Sequence, residues 1–122
     1  MLAAIHRRIW ILLLLIVAAG TMELCWAHAV LVHSAPKLNS AVKGPEVKID
    51  LRFSSRIDGN RSSVRLVTPD GATSKLALAR QPSPDALQAH VTGLKPGAYK
   101  LEWQVLASDG HMTRGEIPFK VN

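Results

Sequence analysis

Alternation constrains this chain more than any other feature: apolar and polar residues take turns with a period of two. In the segment EVKIDLRF, Val47, Ile49, Leu51 and Phe53 alternate with Lys48, Asp50 and Arg52. In AYKLEWQV, Tyr99, Leu101, Trp103 and Val105 alternate with Lys100, Glu102 and Gln104. Successive side chains of a strand point to opposite faces, so each segment buries one face and wets the other. A helix would instead scatter the same apolar residues around its circumference. The stretch LQAHV follows the strand rule too, with Leu87, Ala89 and Val91 on one face and His90 on the other. Further strands are expected at 29–32, 64–67, 75–79 and 117–121.

Turn chemistry separates these runs: Pro36, Lys43-Gly44-Pro45, Asp58-Gly59-Asn60, Pro69-Asp70-Gly71, Pro82-Ser83-Pro84 and Pro96-Gly97. VRLVTPDGATSKLAL has turn residues at its centre and is expected to form a hairpin. No helical pattern competes. About seven short strands predict an all-β domain, an immunoglobulin-like Greek-key β-sandwich. Tyr99 just after a glycine turn in LKPGAYKLEW is placed to bond back to the backbone as a tyrosine corner. Tyr99 and Trp103 are therefore expected in the core, and Glu46, Glu102 and Glu116 at solvated strand positions.

The first 27 residues obey a different rule. A charged start, His6-Arg7-Arg8, precedes the apolar run IWILLLLIVAA, and the polar stretch GTMELCWA ends at Ala27. The run is far short of the roughly 20 residues that span a bilayer. This is the pattern of a secretory signal peptide, with small side chains at Ala27 and Cys25 suiting cleavage after Ala27. Three other fates compete. Cys25 lipidation is poorly served by Glu23-Leu24, retention as an uncut anchor needs no cleavage, and Arg7-Arg8 does not complete a twin-arginine pattern.

Cleavage leaves residues 28–122, enough for one small domain with one core. With Arg7, Arg8 and Glu23 gone, the formal charge falls from +6 to +5, and the only cysteine leaves as well. An exported, periplasmic domain without cysteine has no disulfide, no Cys-based metal site and no thiol nucleophile. Lys48, Arg52, Arg61, Arg65, Arg80 and Lys100 are scattered. That distribution argues against nucleic acid and leaves a solvated face, an anionic membrane surface or an acidic partner.

A mature chain beginning at His28 offers two nitrogens on one residue, the α-amine and imidazole Nδ1. Together they close a six-membered chelate on a metal ion. The amine, with an ordinary pKa of about 7.7–8.0, must lose its proton, which a strongly Lewis-acidic ion promotes. Two nitrogens at right angles suit tetragonal Cu(II). One residue does not complete four equatorial positions. His33, five residues along the first strand, projects to the other face, and His90 alternates out of the core, so both are expected as surface histidines. SDGHMTRG is different, because Asp109 and His111 flank Gly110 and are able to converge on one ion. On spacing alone the plainer alternative stays open: Asp109 caps a hairpin turn and His111 is simply exposed. Ser54 and Ser55 have no evident His–Asp pair nearby, so nucleophilic catalysis has no support.

The opening HAVLVHSAPKLNS, the strand VKIDLRFS, the segment LKPGAYKLEWQVLASDGH and the ending GEIPFKV resemble the copper-resistance CopC family across nearly the whole mature chain. The resemblance implies a periplasmic β-sandwich that binds copper. Its metal residues would be His28, through amine and imidazole, with Asp109 and His111. Some members carry Glu in an F-S-E-P motif, whereas this chain has Phe53-Ser54-Ser55-Arg56, so that carboxylate is missing. Others hold Cu(I) in a methionine cluster, which needs several soft thioethers. Residues 28–122 contain only Met112, expected as packing or loop filler, so the expected variant binds Cu(II) only.

The implied function is a Cu(II) carrier or buffer in copper resistance or uptake, not an enzyme. It would act as a monomer beside a CopD-type inner-membrane permease on a separate chain. The alternative is a small copper oxidase resembling polysaccharide monooxygenases, which also use an amino-terminal histidine. Against it stand the small domain, with little room for a substrate platform, and Asp109 in the position oxygen needs.

Overall fold

The computed structural model describes residues 28–122; the expected leader, with Cys25 and its cleavage position, lies outside the described residues. Eight strands and no helix occur among the described residues. They are β1 (Leu31–Ala35), β2 (Ser40–Val42), β3 (Val47–Phe53), β4 (Ile57–Val67), β5 (Thr73–Lys75), β6 (Ala86–Val91), β7 (Gly97–Ala107) and β8 (Met112–Val121). One sheet has the order β1-β3-β6 and the other β2-β8-β7-β4-β5. The alternation is realised as expected: Val47, Ile49, Leu51 and Phe53 are buried, as are Tyr99, Leu101, Trp103 and Val105. The domain is the immunoglobulin-like β-sandwich that this pattern predicts.

The differences lie where the period-two signal is short or interrupted. β2 was not expected; its three residues pair in parallel with β8 and carry the chain from the first sheet to the edge of the second. The first strand starts at Leu31, not residue 29, because the residues before it are held by side chains instead of a ladder. The expected strand at 75–79 is replaced by β5 at Thr73–Lys75. Beyond it the chain changes sheets: Leu76 N–H donates to Val64 O, while Ala79 N–H donates to Gln88 O on β6. The hairpin around Pro69-Asp70-Gly71 does form, with Val67 opposite Thr73.

Asp58-Gly59-Asn60 is not a turn between strands but a bulge inside β4. The register moves from Asp58↔Leu106 to Ser63↔Gln104, five residues on β4 against two on β7. Asp58 Oδ1 accepts the N–H groups of Asn60 and Arg61 at 3.0 and 3.3 Å. Ser62 Oγ donates to Asp58 O at 2.6 Å and accepts Leu106 N–H at 3.2 Å. Local side-chain bonds thus replace the ladder bonds that the extra residues forfeit.

The sheets meet through aromatic packing. Phe53 from β3 meets Trp103 from β7 edge to face, with ring centroids 5.2 Å apart. Tyr99 donates its hydroxyl to Lys95 O at 2.7 Å, closing the expected tyrosine corner. Gly115 lies opposite Trp103 on β8, and a Cβ there would sit 2.5 Å from Trp103 Cζ2. The indole lies over the bare backbone, and the interleaved core leaves the ring little room to retreat. Gly115→Ala is expected to destabilise the fold by about 1–3 kcal/mol through overpacking. Urea unfolding should show a lower midpoint at unchanged slope; an unchanged midpoint would show that Trp103 repacks freely.

Candidate metal centre

The hairpin between β7 and β8 builds half of the site. Gly110 N–H donates to Ala107 O at 3.0 Å, and Ala107 N–H donates to His111 O at 2.9 Å. Gly110 takes φ +85°, a left-handed conformation that glycine adopts without strain. This is the three-residue hairpin loop that ends in a left-handed residue. The segment is therefore a tight turn and not an extended stretch, and the turn itself aims Asp109 and His111 to one side.

Asp109 divides its two oxygens. Oδ1 accepts the His111 backbone N–H at 3.0 Å and so fastens the turn. Oδ2 lies 2.8 Å from His111 Nδ1 and 3.5 Å from His28 Nδ1. One oxygen thus caps the turn, as the plainer reading of the loop expects, and the other faces both imidazoles. The imidazoles of His28 and His111 meet edge to face with centroids 5.0 Å apart. One donor atom from each of His28, Asp109 and His111 falls within 4.8 Å of the others.

The two histidine side chains are 59% and 69% exposed and the Asp109 side chain 17%, although Asp109 as a residue stands exposed at the hairpin tip. The whole cluster thus faces solvent, with the carboxylate its least exposed donor. That carboxylate is held below the ordinary aspartate range, first by the His111 backbone N–H and next by the His111 ring. Partial desolvation opposes this, and the charges of His111 and His28 add to the lowering.

His28 reaches this hairpin because the residues after it are fastened to both sheets. Ala29 is buried in the core, and its carbonyl accepts Thr113 Oγ1 of β8 at 2.9 Å. Val30 N–H donates to Ser54 Oγ at 2.9 Å, and Ser54 N–H donates to Val30 O at 2.7 Å. Ser54 Oγ also donates to His28 O at 3.3 Å. Ser54 therefore does lie beside a histidine, but its hydroxyl is engaged with main chain and not poised for chemistry. Ser54 and Thr113 are the positioning residues that sequence reasoning missed. Single hydroxyl residues at strand ends carry no pattern that announces such a contact.

The remaining candidates fall elsewhere. His33 is exposed, with Nε2 3.9 Å from Asp50 Oδ2, and His90 faces Glu46 at 3.6 Å. Met112 opens β8 and is 41% exposed, so it fills no core space. Ser55 Oγ is buried without a hydrogen-bond partner.

Fold and cluster together define a class: a small immunoglobulin-like sandwich with two histidines and an aspartate gathered at one end. The chain belongs to the CopC family, a family of copper resistance and copper transport proteins; the family model described as "CopC domain" matches residues 31–122. The match includes Asp109 and His111, while His28 precedes it. Protein YobA of Escherichia coli (strain K12) is 34% identical over 99 residues, covering 79% of this chain and 80% of its own. Copper resistance protein C of Pseudomonas syringae pv. tomato is 32% identical, covering 85% and 90%. The crystal structure of CopC from Methylosinus trichosporium OB3b superposes with a TM-score of 0.70 at 26% identity, covering 78% of this chain and 94% of that one.

Two outcomes follow from the site as built. Ser54→Ala removes the acceptor of Val30 N–H, so hydrogen exchange at that amide should quicken about fivefold, the effect of one ordinary hydrogen bond. Unchanged protection would show that Ala29 burial alone holds the segment. Asp109 has a folded-state pKa below its unfolded value, so its ionised form favours folding above about pH 3.9. That contribution is lost as pH falls through the folded value. In His111→Ala the backbone N–H remains, so the Asp109 midpoint followed by carboxyl-carbon NMR should rise yet stay below the ordinary value of about 3.9. A midpoint at the ordinary value would make the ring the main cause.

Proposed function

We propose that the protein carries or buffers Cu(II) in the periplasm, exported by a leader cut after Ala27. Copper is its cargo, held by the amine and imidazole of His28, the carboxylate of Asp109 and the imidazole of His111. The observation that carries this reading is the convergence of donor atoms from those three residues within 4.8 Å. The donor chemistry supports Cu(II): three nitrogens and one hard oxygen suit a tetragonal ion, and no thioether joins them. With four donors the equatorial positions are filled, leaving none for dioxygen, so the role is binding and transfer, not catalysis. The protein acts as a monomer, with a CopD-type inner-membrane permease as its partner in copper movement.

Cleavage is part of the site in this reading, because only a free amine completes the chelate. Competitive titration of Cu(II) against a chelator should therefore separate four proteins. The authentic His28 start should bind tightly, and a chain with residues left ahead of His28 should bind orders of magnitude more weakly. His111→Ala should also weaken binding strongly, and His90→Ala should not. Equal affinities for the authentic and extended chains would refute the chelate. Electron paramagnetic resonance of the authentic form should show a nitrogen-rich type 2 signal.

A further inference from the structure

A cleft of about 350 Å³ lies against the same hairpin, lined by Ser108 and Gly110 on one side and by Arg56, Asp58 and Arg61 on the other. Its charge is unbalanced. Asp58 is already committed: Oδ1 accepts the N–H groups of Asn60 and Arg61, and Oδ2 lies 3.8 Å from Arg61 Nε. Arg56 enters no ion pair among the described residues. Both arginines are exposed, so their guanidinium groups keep their hydration and lose little when an anion replaces it. The hairpin side is open, since a Cβ on Gly110 would meet no atom within 4 Å.

Two guanidinium forks against one engaged carboxylate make a receptor for oxyanions, and each fork matches one carboxylate in a paired, two-bond geometry. Asp58 stands between Arg56 and Arg61 in the chain and shares the cleft with them. A compact anion such as phosphate, held by both arginines at once, would come close to that carboxylate, whereas two separate carboxylates would pair with one guanidinium each. The volume is at the small end of ligand sites, about 300–1,000 Å³, which also favours a small molecule.

We propose that this cleft is a subsite for a small dicarboxylate, one carboxylate taken by Arg56 and the other by Arg61. The inference goes beyond copper binding and does not require it, because the arginines and the cleft belong to the protein without metal. Exposed guanidinium–carboxylate pairs are individually weak, so the dissociation constant should be on the order of tens of millimolar.

The test uses copper-free protein, malonate as the probe and backbone-amide NMR at constant ionic strength. Saturable shifts are expected at Arg61, Ser108 and Gly110, with affinity falling at least tenfold in R56A/R61A. R65A, which removes a positive charge from the outer face of β4, should bind malonate like the parent. Inorganic phosphate, titrated in parallel, should bind more weakly than malonate. Shifts that never saturate, equal affinity in R56A/R61A, or the same weakening in R65A would overturn the subsite. Phosphate binding as strong as malonate would overturn the dicarboxylate assignment. Neither result bears on the copper titration, which is read on the metal, so the two readings fail separately.

Discussion

The structure depends on a stitch at Ala29. A residue ahead of the first strand has no ladder to hold it, and fixing its backbone costs about 1–2 kcal/mol. Here that cost is met locally. The methyl group is buried, the carbonyl is bound by Thr113 of one sheet, and the next residue is bound twice by Ser54 at the end of a strand in the other. The stitch therefore spans the sandwich at its open end. His28 has no comparable packing of its own, with its side chain largely in solvent, yet its ring comes to rest 5.0 Å from that of His111. The core places the backbone, and the backbone places the histidine.

The hairpin opposite is organised by equally local means. Gly110 supplies the left-handed residue and Asp109 Oδ1 locks the turn, which leaves Oδ2 fixed between two imidazoles. Its base is held in turn by the β4 bulge, where Ser62 accepts the Leu106 amide and Ile57 pairs with Ala107. The bulge does two further things. It shifts the register of an eleven-residue strand against β7, and it includes Arg61, which lines the cleft beside the hairpin. The same irregularity that supports the cluster also creates the cationic cleft beside it.

How much of this was legible depends on whether a residue's role shows in a repeating pattern. β3 emerged within a residue of its observed span, because Val47 through Phe53 alternates without a fault. Tyr99, following a glycine turn, announced its corner. β2 did not, since three residues pairing in parallel leave no periodic trace. Asp58-Gly59-Asn60 has the composition of a turn, and only the neighbouring β7 decides that it is a bulge. For the cluster, type and spacing offered His28, Asp109 and His111 as donors but left a merely capped turn open, and only the resemblance to CopC joined the three as one set. The contacts that position His28 stayed hidden, because they come from Ser54 and Thr113 across 24 and 84 residues of sequence.

The division between core and cluster also bears on what kind of metal protein the chain is able to be. Eighteen buried residues form one continuous core without contribution from His28, Asp109 or His111. A domain that needs its ion to fold couples every loading and release to an unfolding step. This sandwich is complete without one, so the proposed cargo is free to come and go on a preformed surface. The exposure of both imidazoles serves the same end. A donor group from a partner would reach the cluster directly, because both imidazoles stand in solvent. A buried cage would bind with less competition and release slowly. An open cluster on a rigid scaffold suits transfer, and the fold achieves it by fastening the backbone of residues 28–30 and leaving the histidine side chain in solvent.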